Sequence, residues 1–199
     1  MQVRLKHLGG EKRTSRPERE VMVATTNPMK MLEIRTILTA EGFTVRWLRL
    51  PLQEIQADSL AKVARAKLDG VPTSLENVLV EDTGLFIESL KGFPGVYTSY
   101  AVRTIGVPGL LRLVEGLNRR AEFRTAMGLR VGGRILIRED CVRGAISKRP
   151  LGRSGYALDR IFVPNGSHVT LGQIPLLRRE KLAHRTQAIR KLVQRIITA

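Results

Sequence analysis

Apolar positions along this chain fall in short blocks separated by turn residues, and their spacing switches between that of strands and that of helices. Val21–Thr25 (VMVAT) is an apolar run of strand length, closed by the turn pair Asn27-Pro28. Pro28 suits a first helical turn, and a helix is predicted over Pro28–Glu41, with Met31, Ile34, Ile37 and Leu38 at helical spacing and Gly42 closing it. Phe43–Leu50 predicts a second strand, Asp58–Asp69 a second helix and Asn77–Glu81 (NVLVE) a buried strand. Beyond these, Val107–Leu117 reads as a helix, and Arg124–Val131, Arg134–Ile137 and Arg160–Val163 read as strands. A last helix, Arg179–Ile197, sets Leu182, Ile189, Leu192, Val193 and Ile196 on one face. The β-α-β-α opening predicts an α/β domain.

Residues 1–20 are polar and charged without apolar periodicity, so a disordered basic extension is expected there, followed by a single domain over 21–199. With 43% hydrophobic residues, a chain of 199 can bury a substantial core. No run approaches the roughly 18 apolar residues of a membrane span, and the first 20 residues lack a signal peptide's apolar stretch, so a cytoplasmic protein is expected. Cys141 is the only cysteine, which excludes an internal disulfide and a cysteine-based metal cluster. Any metal must then be held by carboxylates. The 34 Lys and Arg residues against 18 Asp and Glu give a formal charge of +16, which attracts polyanions, nucleic acid among them. Aromatic residues make up only 5%, so no stacking platform for single strands stands out.

Three segments carry candidate chemistry. Asp82 follows an apolar strand and precedes Thr83-Gly84, where a carboxylate emerges at a strand end, the place where ligands collect in α/β sheets. In a continuous strand Glu81 and Asp82 point to opposite faces. Gly92-Phe93-Pro94-Gly95 reads as a conformationally special loop, since two glycines permit positive φ around a fixed proline. Thr25-Thr26-Asn27 with Lys30 offers hydroxyls, an amide and an ammonium at a helix N-terminus, whose backbone N–H groups favour phosphate. Each alone also fits an ordinary turn or cap.

Together they form a longer pattern. The run VEDTGLFIESLKGFPGVYTSY at Val80–Tyr100, with TTNPMKMLE at Thr25–Glu33, PLQEIQ at Pro51–Gln56 and TIGVPGLLRLVEG at Thr104–Gly116, resembles the inosine triphosphate pyrophosphatase family of house-cleaning enzymes. The resemblance implies an elongated mixed β-sheet flanked by helices, in two lobes with the active-site cleft between them. It also implies a homodimer and magnesium-dependent cleavage of purine nucleoside triphosphates between the α and β phosphates. Carried over by motif, Asp82 is the base that activates water and lies close to the metal, and Glu54 is the second metal carboxylate. Thr25, Thr26, Asn27, Pro28, Met29 and Lys30 would hold phosphates, with Lys62 a further cation and Thr83 a hydroxyl near the metal.

The C-terminal motifs depart from the family. Gly155–Phe162 matches the family's glycine- and aromatic-rich signature without a gap, placing Tyr156 as a stacking ring and Asp159 as a contact to the nucleoside. Leu158, however, replaces an aromatic residue, Ala157 a glycine and Arg160 a proline. In Arg179–Arg185, Arg179 stands at the family's lysine and Ala183 at its serine, while His184 and Arg185 keep the pair that reads the 6-oxo edge of the purine. Two functions follow: hydrolysis of inosine, deoxyinosine and xanthosine triphosphates, or, in a divergent relative with weakened catalysis, nucleotide or RNA binding.

Overall fold

The computed structural model describes residues 19–179 and 184–197. Residues 1–18 and Glu180–Ala183, Leu182 of the expected last-helix face among them, lie outside the described residues. Seven strands, β1 (Glu20–Ala24), β2 (Thr44–Leu48), β3 (Val78–Ile87), β4 (Pro94–Gly95), β5 (Arg120–Val131), β6 (Arg134–Ile146) and β7 (Phe162–Pro164), form one mixed sheet in the order β2-β1-β3-β5-β6-β7, with β4 on β3. Pairing is parallel among β1, β2 and β3 and antiparallel for the rest. The helices are α1 (Pro28–Ala40), α2 (Leu60–Asp69), α3 (Thr98–Thr104), α4 (Gly106–Leu113) and α5 (His184–Ile197). None of the described helices is long and apolar enough to cross a membrane.

Three apolar clusters explain the two-ended shape. One joins α1 and α5 to one face of the sheet through Ile34, Leu38, Leu79, Met127, Ile189 and Leu192. Another packs α2 on the opposite face through Leu60, Ala64, Leu68, Val78 and Val80. The third lies at the far end of the long strands and holds Leu85, Ile87, Leu110, Phe123, Ile161 and Phe162. β3 and β5 run through both ends, and their shared middle is polar: Glu81, Asp82 and Thr83 pair with Met127, Ala126 and Thr125. Those polar residues end the apolar run, so the sequence pattern predicts β3 only to Glu81 while the strand continues to Ile87. β5 and β6 exceed their predicted spans because both cross from one cluster to the other through segments broken by charged residues, Arg120 and Glu122 in β5 and Arg138, Glu139 and Asp140 in β6.

The sheet is deliberately incomplete at this middle. β5 covers one edge of β3 throughout. On the other edge β1 pairs only with Val78 and Leu79, and β4 only with Leu85 and Phe86. Residues 80–84 of that edge have no strand beside them, and a cleft opens there. β4 lies close enough that a Cβ on Gly84 would meet the Gly95 carbonyl, so only glycine fits at position 84. Gly92 and Gly95 take positive φ, +91° and +57°, as the special loop requires.

Other boundaries shift with identifiable causes. Ser59, not Asp58, caps α2, its hydroxyl accepting from Lys62 N at 3.3 Å. α4 ends at Leu113, ahead of the predicted Leu117, and α3 is a helix that apolar spacing misses because Thr98 and Ala101 are its only buried residues. Arg160 belongs to a 3₁₀ turn over Ala157–Arg160, so β7 starts at Phe162.

Candidate functional site

The cleft has a volume of about 490 Å³, in the usual range for a small-molecule site. Its floor is the open edge of β3. Asp82 faces α2, and Glu81 faces α1 and α5, as strand alternation dictates, yet both reach the cleft because no strand covers the edge between them.

On Asp82's side, Lys67 stands on the buried stripe of α2 formed by Leu60, Val63, Ala64 and Leu68. Its ammonium donates to Asp82 Oδ1 at 2.6 Å, to the Glu81 carbonyl at 3.3 Å and to Glu54 Oε1 at 3.4 Å. Burial works to lower the lysine's pKa, but the surrounding carboxylates hold it above its ordinary value. Burial pushes the Asp82 carboxyl up, and Lys67 and Lys30 offset only part of that. α2 is itself anchored by buried Arg130, which donates to the carbonyls of Leu68, Val71 and Pro72 at its C-terminal end.

On the other side, Glu81 is held by Lys30 at 2.5 Å and by Arg185 Nε at 3.0 Å, and it accepts from Thr83. Burial opposes the charged form, but Arg185 and Lys30 outweigh it and keep the carboxyl far below the usual range. Arg185 also donates to Glu33 Oε2 at 2.6 Å, and its guanidinium lies 5.3 Å from the Tyr156 ring centroid. Glu33 is itself raised by burial, against the pull of Arg185.

Asn27 caps α1, its side chain accepting from Met29 N at 3.0 Å and Lys30 N at 3.2 Å, while Thr25 Oγ1 accepts from Asn27 N. These bonds use the very N–H groups that the sequence pattern assigns to phosphate, leaving the Lys30 side chain as the main phosphate-attracting group of this loop. The opposite wall is Tyr156–Asp159. Asp159 Oδ2 accepts from Tyr156 N at 2.8 Å and from Arg179 Nη1 at 2.7 Å, and Arg179 Nε reaches the Ile174 carbonyl. Gly155 needs its positive φ of +78° here, and a Cβ would strike Asp159 and Arg179. The Tyr156 hydroxyl is buried without a hydrogen-bond partner among the described residues, and burial raises its pKa.

Of the residues singled out from sequence, Thr25, Thr26, Asn27, Lys30, Glu54, Asp82, Thr83, Tyr156, Ala157, Leu158, Asp159 and Arg185 all line this cleft. Lys62 does not: it is exposed and paired with Asp58 at 2.8 Å, because it lies off the apolar stripe of α2. Lys67, on the buried stripe of the same helix, lines the cleft instead. Pro28 and Met29 serve the helix turn and lie outside the lining, as does Arg179, which is buried behind Asp159. The His184 side chain lies outside the described residues. Sequence reasoning missed Lys67, Glu33 and Arg103. A charged residue on an apolar stripe was the available signal for Lys67, and i, i+3 spacing from Lys30 was the signal for Glu33.

Four cations, Lys30, Lys67, Arg103 and Arg185, and four carboxylates, Glu54, Glu81, Asp82 and Asp159, line the cleft. The formal charges of these side chains therefore balance. No cluster of three metal-binding side chains exists among the described residues. The donor set is instead two carboxylates, Glu54 and Asp82, within reach of one ammonium. That set fits magnesium, which uses one or two carboxylates and keeps waters and phosphate oxygens as its other ligands. A second, broader concavity of about 1290 Å³ runs along Phe86–Tyr97 and β5, but its Glu122 is taken up by Arg124 and Arg143, and it gathers no comparable buried charges.

Fold and cleft together define an α/β protein with a nucleotide-sized, charge-lined pocket at an interrupted sheet edge. The Ham1 family matches residues 21–195, and the chain belongs to that family. A dITP/XTP pyrophosphatase of Hyperthermus butylicus is 38% identical over 176 residues, covering 87% of this chain and 93% of the relative. One from Methanopyrus kandleri is 39% identical over 178 residues, covering 88% and 95%. Among solved structures, the Ham1 protein of Staphylococcus aureus superposes with a TM-score of 0.76 at 22% identity, covering 90% of this chain and 98% of that one. That of Coxiella burnetii gives 0.74 at 21%, covering 90% and 99%. These structures share the fold.

Proposed function

We propose that this chain hydrolyses oxo-purine nucleoside triphosphates, deoxyinosine and xanthosine triphosphate foremost, to the monophosphate and pyrophosphate. The observation that carries the reading is the meeting of Asp82, Glu54, Lys67 and Lys30 with the Tyr156–Asp159 turn around one cleft. Relatives at 38–39% identity bear the names of dITP/XTP pyrophosphatases, which supports the same reaction here.

The triphosphate lies between the start of α1 and the open β3 edge, with Lys30 and Lys67 as its protein cations. Asp82 takes a proton from the attacking water; its raised pKa brings it closer to the basicity such a role requires. Glu54 and Asp82 would hold magnesium, which when bound offsets charge on the phosphates and the leaving pyrophosphate. The base enters toward Tyr156. There the ring supplies a stacking face, and the Arg185 guanidinium beneath it donates toward a carbonyl edge rather than an amino group. The family resemblance implies a homodimer, and we place it in the cytoplasm.

The test is pyrophosphate release with magnesium from deoxyinosine and xanthosine triphosphates, beside adenosine and guanosine triphosphates. Selective release from the first two supports the proposal. Equal cleavage of all four removes the base-recognition part, and no release from any removes the activity.

A further inference from the structure

Away from the cleft, charge is distributed unevenly. Between Cys141 and Arg179 the chain has seven basic residues and a single acidic one, Asp159, which is buried against Arg179. Several exposed arginines on other elements are neutralised by partners: Arg46 pairs with Glu20, Arg65 with Asp69, Arg124 and Arg143 with Glu122, and Arg190 with Glu41, whereas exposed arginines without a carboxylate partner elsewhere, such as Arg35 and Arg112, lie scattered on separate elements. Lys148, Arg149, Arg153 and Arg160 are exposed and have no carboxylate partner among the described residues.

These four sit on one rigid knot at the β7 edge of the sheet. Ser147 N donates to the Ile161 carbonyl and Leu151 N to that of Arg160, each at 2.7 Å. Ser154 N donates to the Gly172 carbonyl at 2.9 Å, and Thr170 Oγ1 to that of Leu151 at 2.9 Å. Gly152, at φ +81°, packs so tightly on the Gly172 backbone that a Cβ would overlap it. The knot therefore presents its charges on a fixed backbone, so little ordering entropy opposes binding.

We infer that this knot is a docking surface for the phosphodiester backbone of nucleic acid, separate from the cleft and independent of the reaction proposed for it. Three of the four cations are arginines, whose planar forks match phosphate oxygens. No exposed aromatic ring lies between Cys141 and Arg179, so bases find no stacking platform and binding is blind to sequence. Val169 is the one large apolar side chain exposed there among the described residues, which leaves a lipid surface without the apolar anchor it needs.

The test is fluorescence anisotropy of the full chain with a labelled RNA oligonucleotide and a DNA duplex, titrated over salt, with anionic vesicles as a separate arm. Four phosphate contacts predict a slope of log K against log salt of about −3 from this surface. Combined Lys148→Gln, Arg149→Gln, Arg153→Gln and Arg160→Gln substitutions should weaken binding at least about tenfold and flatten the slope. A variant with Arg35, Arg46, Arg65 and Arg190 changed to Gln, equal in net charge, should keep the parental affinity. Because Arg160 also bonds the Gly152 carbonyl at 3.2 Å, the triple variant that spares it gives the same direction with the knot intact. Equal loss in the two quadruple variants, no binding by the parent at low salt, or tighter binding to vesicles than to nucleic acid would each overturn the inference.

Discussion

The ammonium of Lys67 lies 2.6 Å from Asp82 and 3.4 Å from Glu54, so one buried cation is shared by the two carboxylates proposed to hold a metal. In the free protein this lysine makes it tolerable to bury Asp82 in charged form. Replacing it leaves a buried carboxylate whose nearest remaining cation, Lys30, is already paired with Glu81.

The pH profile should report that relationship. Burial holds Asp82 above the ordinary carboxylate value, so kcat/KM should fall with acid through an apparent pKa above about 3.9. Lys67→Met removes a charge that lowers the Asp82 pKa, and the acid limb should move to higher pH. An unmoved limb would show that Lys67 does not govern Asp82.

Arg185 closes a buried triad with Glu33 and Glu81. Arg185→Met leaves buried Glu33 without its ion-pair partner and Glu81 with Lys30 alone, and should destabilise the fold by about 3–5 kcal/mol, read from denaturant midpoints. The sign with pH can be worked out for Glu81. Its folded pKa is depressed, so its contribution is complete above the ordinary value of 4.5 and is lost as pH falls through the folded value. The mutational difference should therefore be largest near neutral pH and shrink with acid. A difference that grows with acid would contradict the triad.

How much of this was legible in advance differs between the fold and the cleft. Val21–Ala24 and the Met31, Ile34, Ile37, Leu38 stripe announce a parallel α/β start, and the structure keeps both. The full lengths of β3, β5 and β6 were hidden because charged residues interrupt their apolar runs: Glu81 and Asp82 in β3, Arg120 and Glu122 in β5, and Arg138, Glu139 and Asp140 in β6. Lys67 and Glu33 lay in plain view, as charges on buried helix faces, whereas Arg185 meets Glu33 and Glu81 only after the chain has folded back over more than a hundred residues.

Gly84 tests the interrupted sheet edge. Gly84→Ala drives a methyl into the Gly95 carbonyl and should lower stability by about 1–3 kcal/mol, while pushing β4 off β3. Thermal unfolding and loss of protection at the Leu85 amide, which donates to Thr98, would report it.

Tyr156→Ala removes the ring proposed to stack on the base. It should raise KM for deoxyinosine triphosphate by about tenfold, in line with 1–3 kcal/mol for base–aromatic stacking, with a smaller effect on kcat. Loss confined to kcat would move Tyr156 from binding the base to shaping the cleft.

Mass spectrometry of deoxyinosine triphosphate hydrolysed in ¹⁸O-water with magnesium, by the parent chain and by Asp82→Asn, tests the central claim most directly. The account predicts one labelled oxygen in the monophosphate, unlabelled pyrophosphate, and a rate about 10²–10⁴ lower for the variant. Label in pyrophosphate or orthophosphate, or an unchanged rate in the variant, would contradict it.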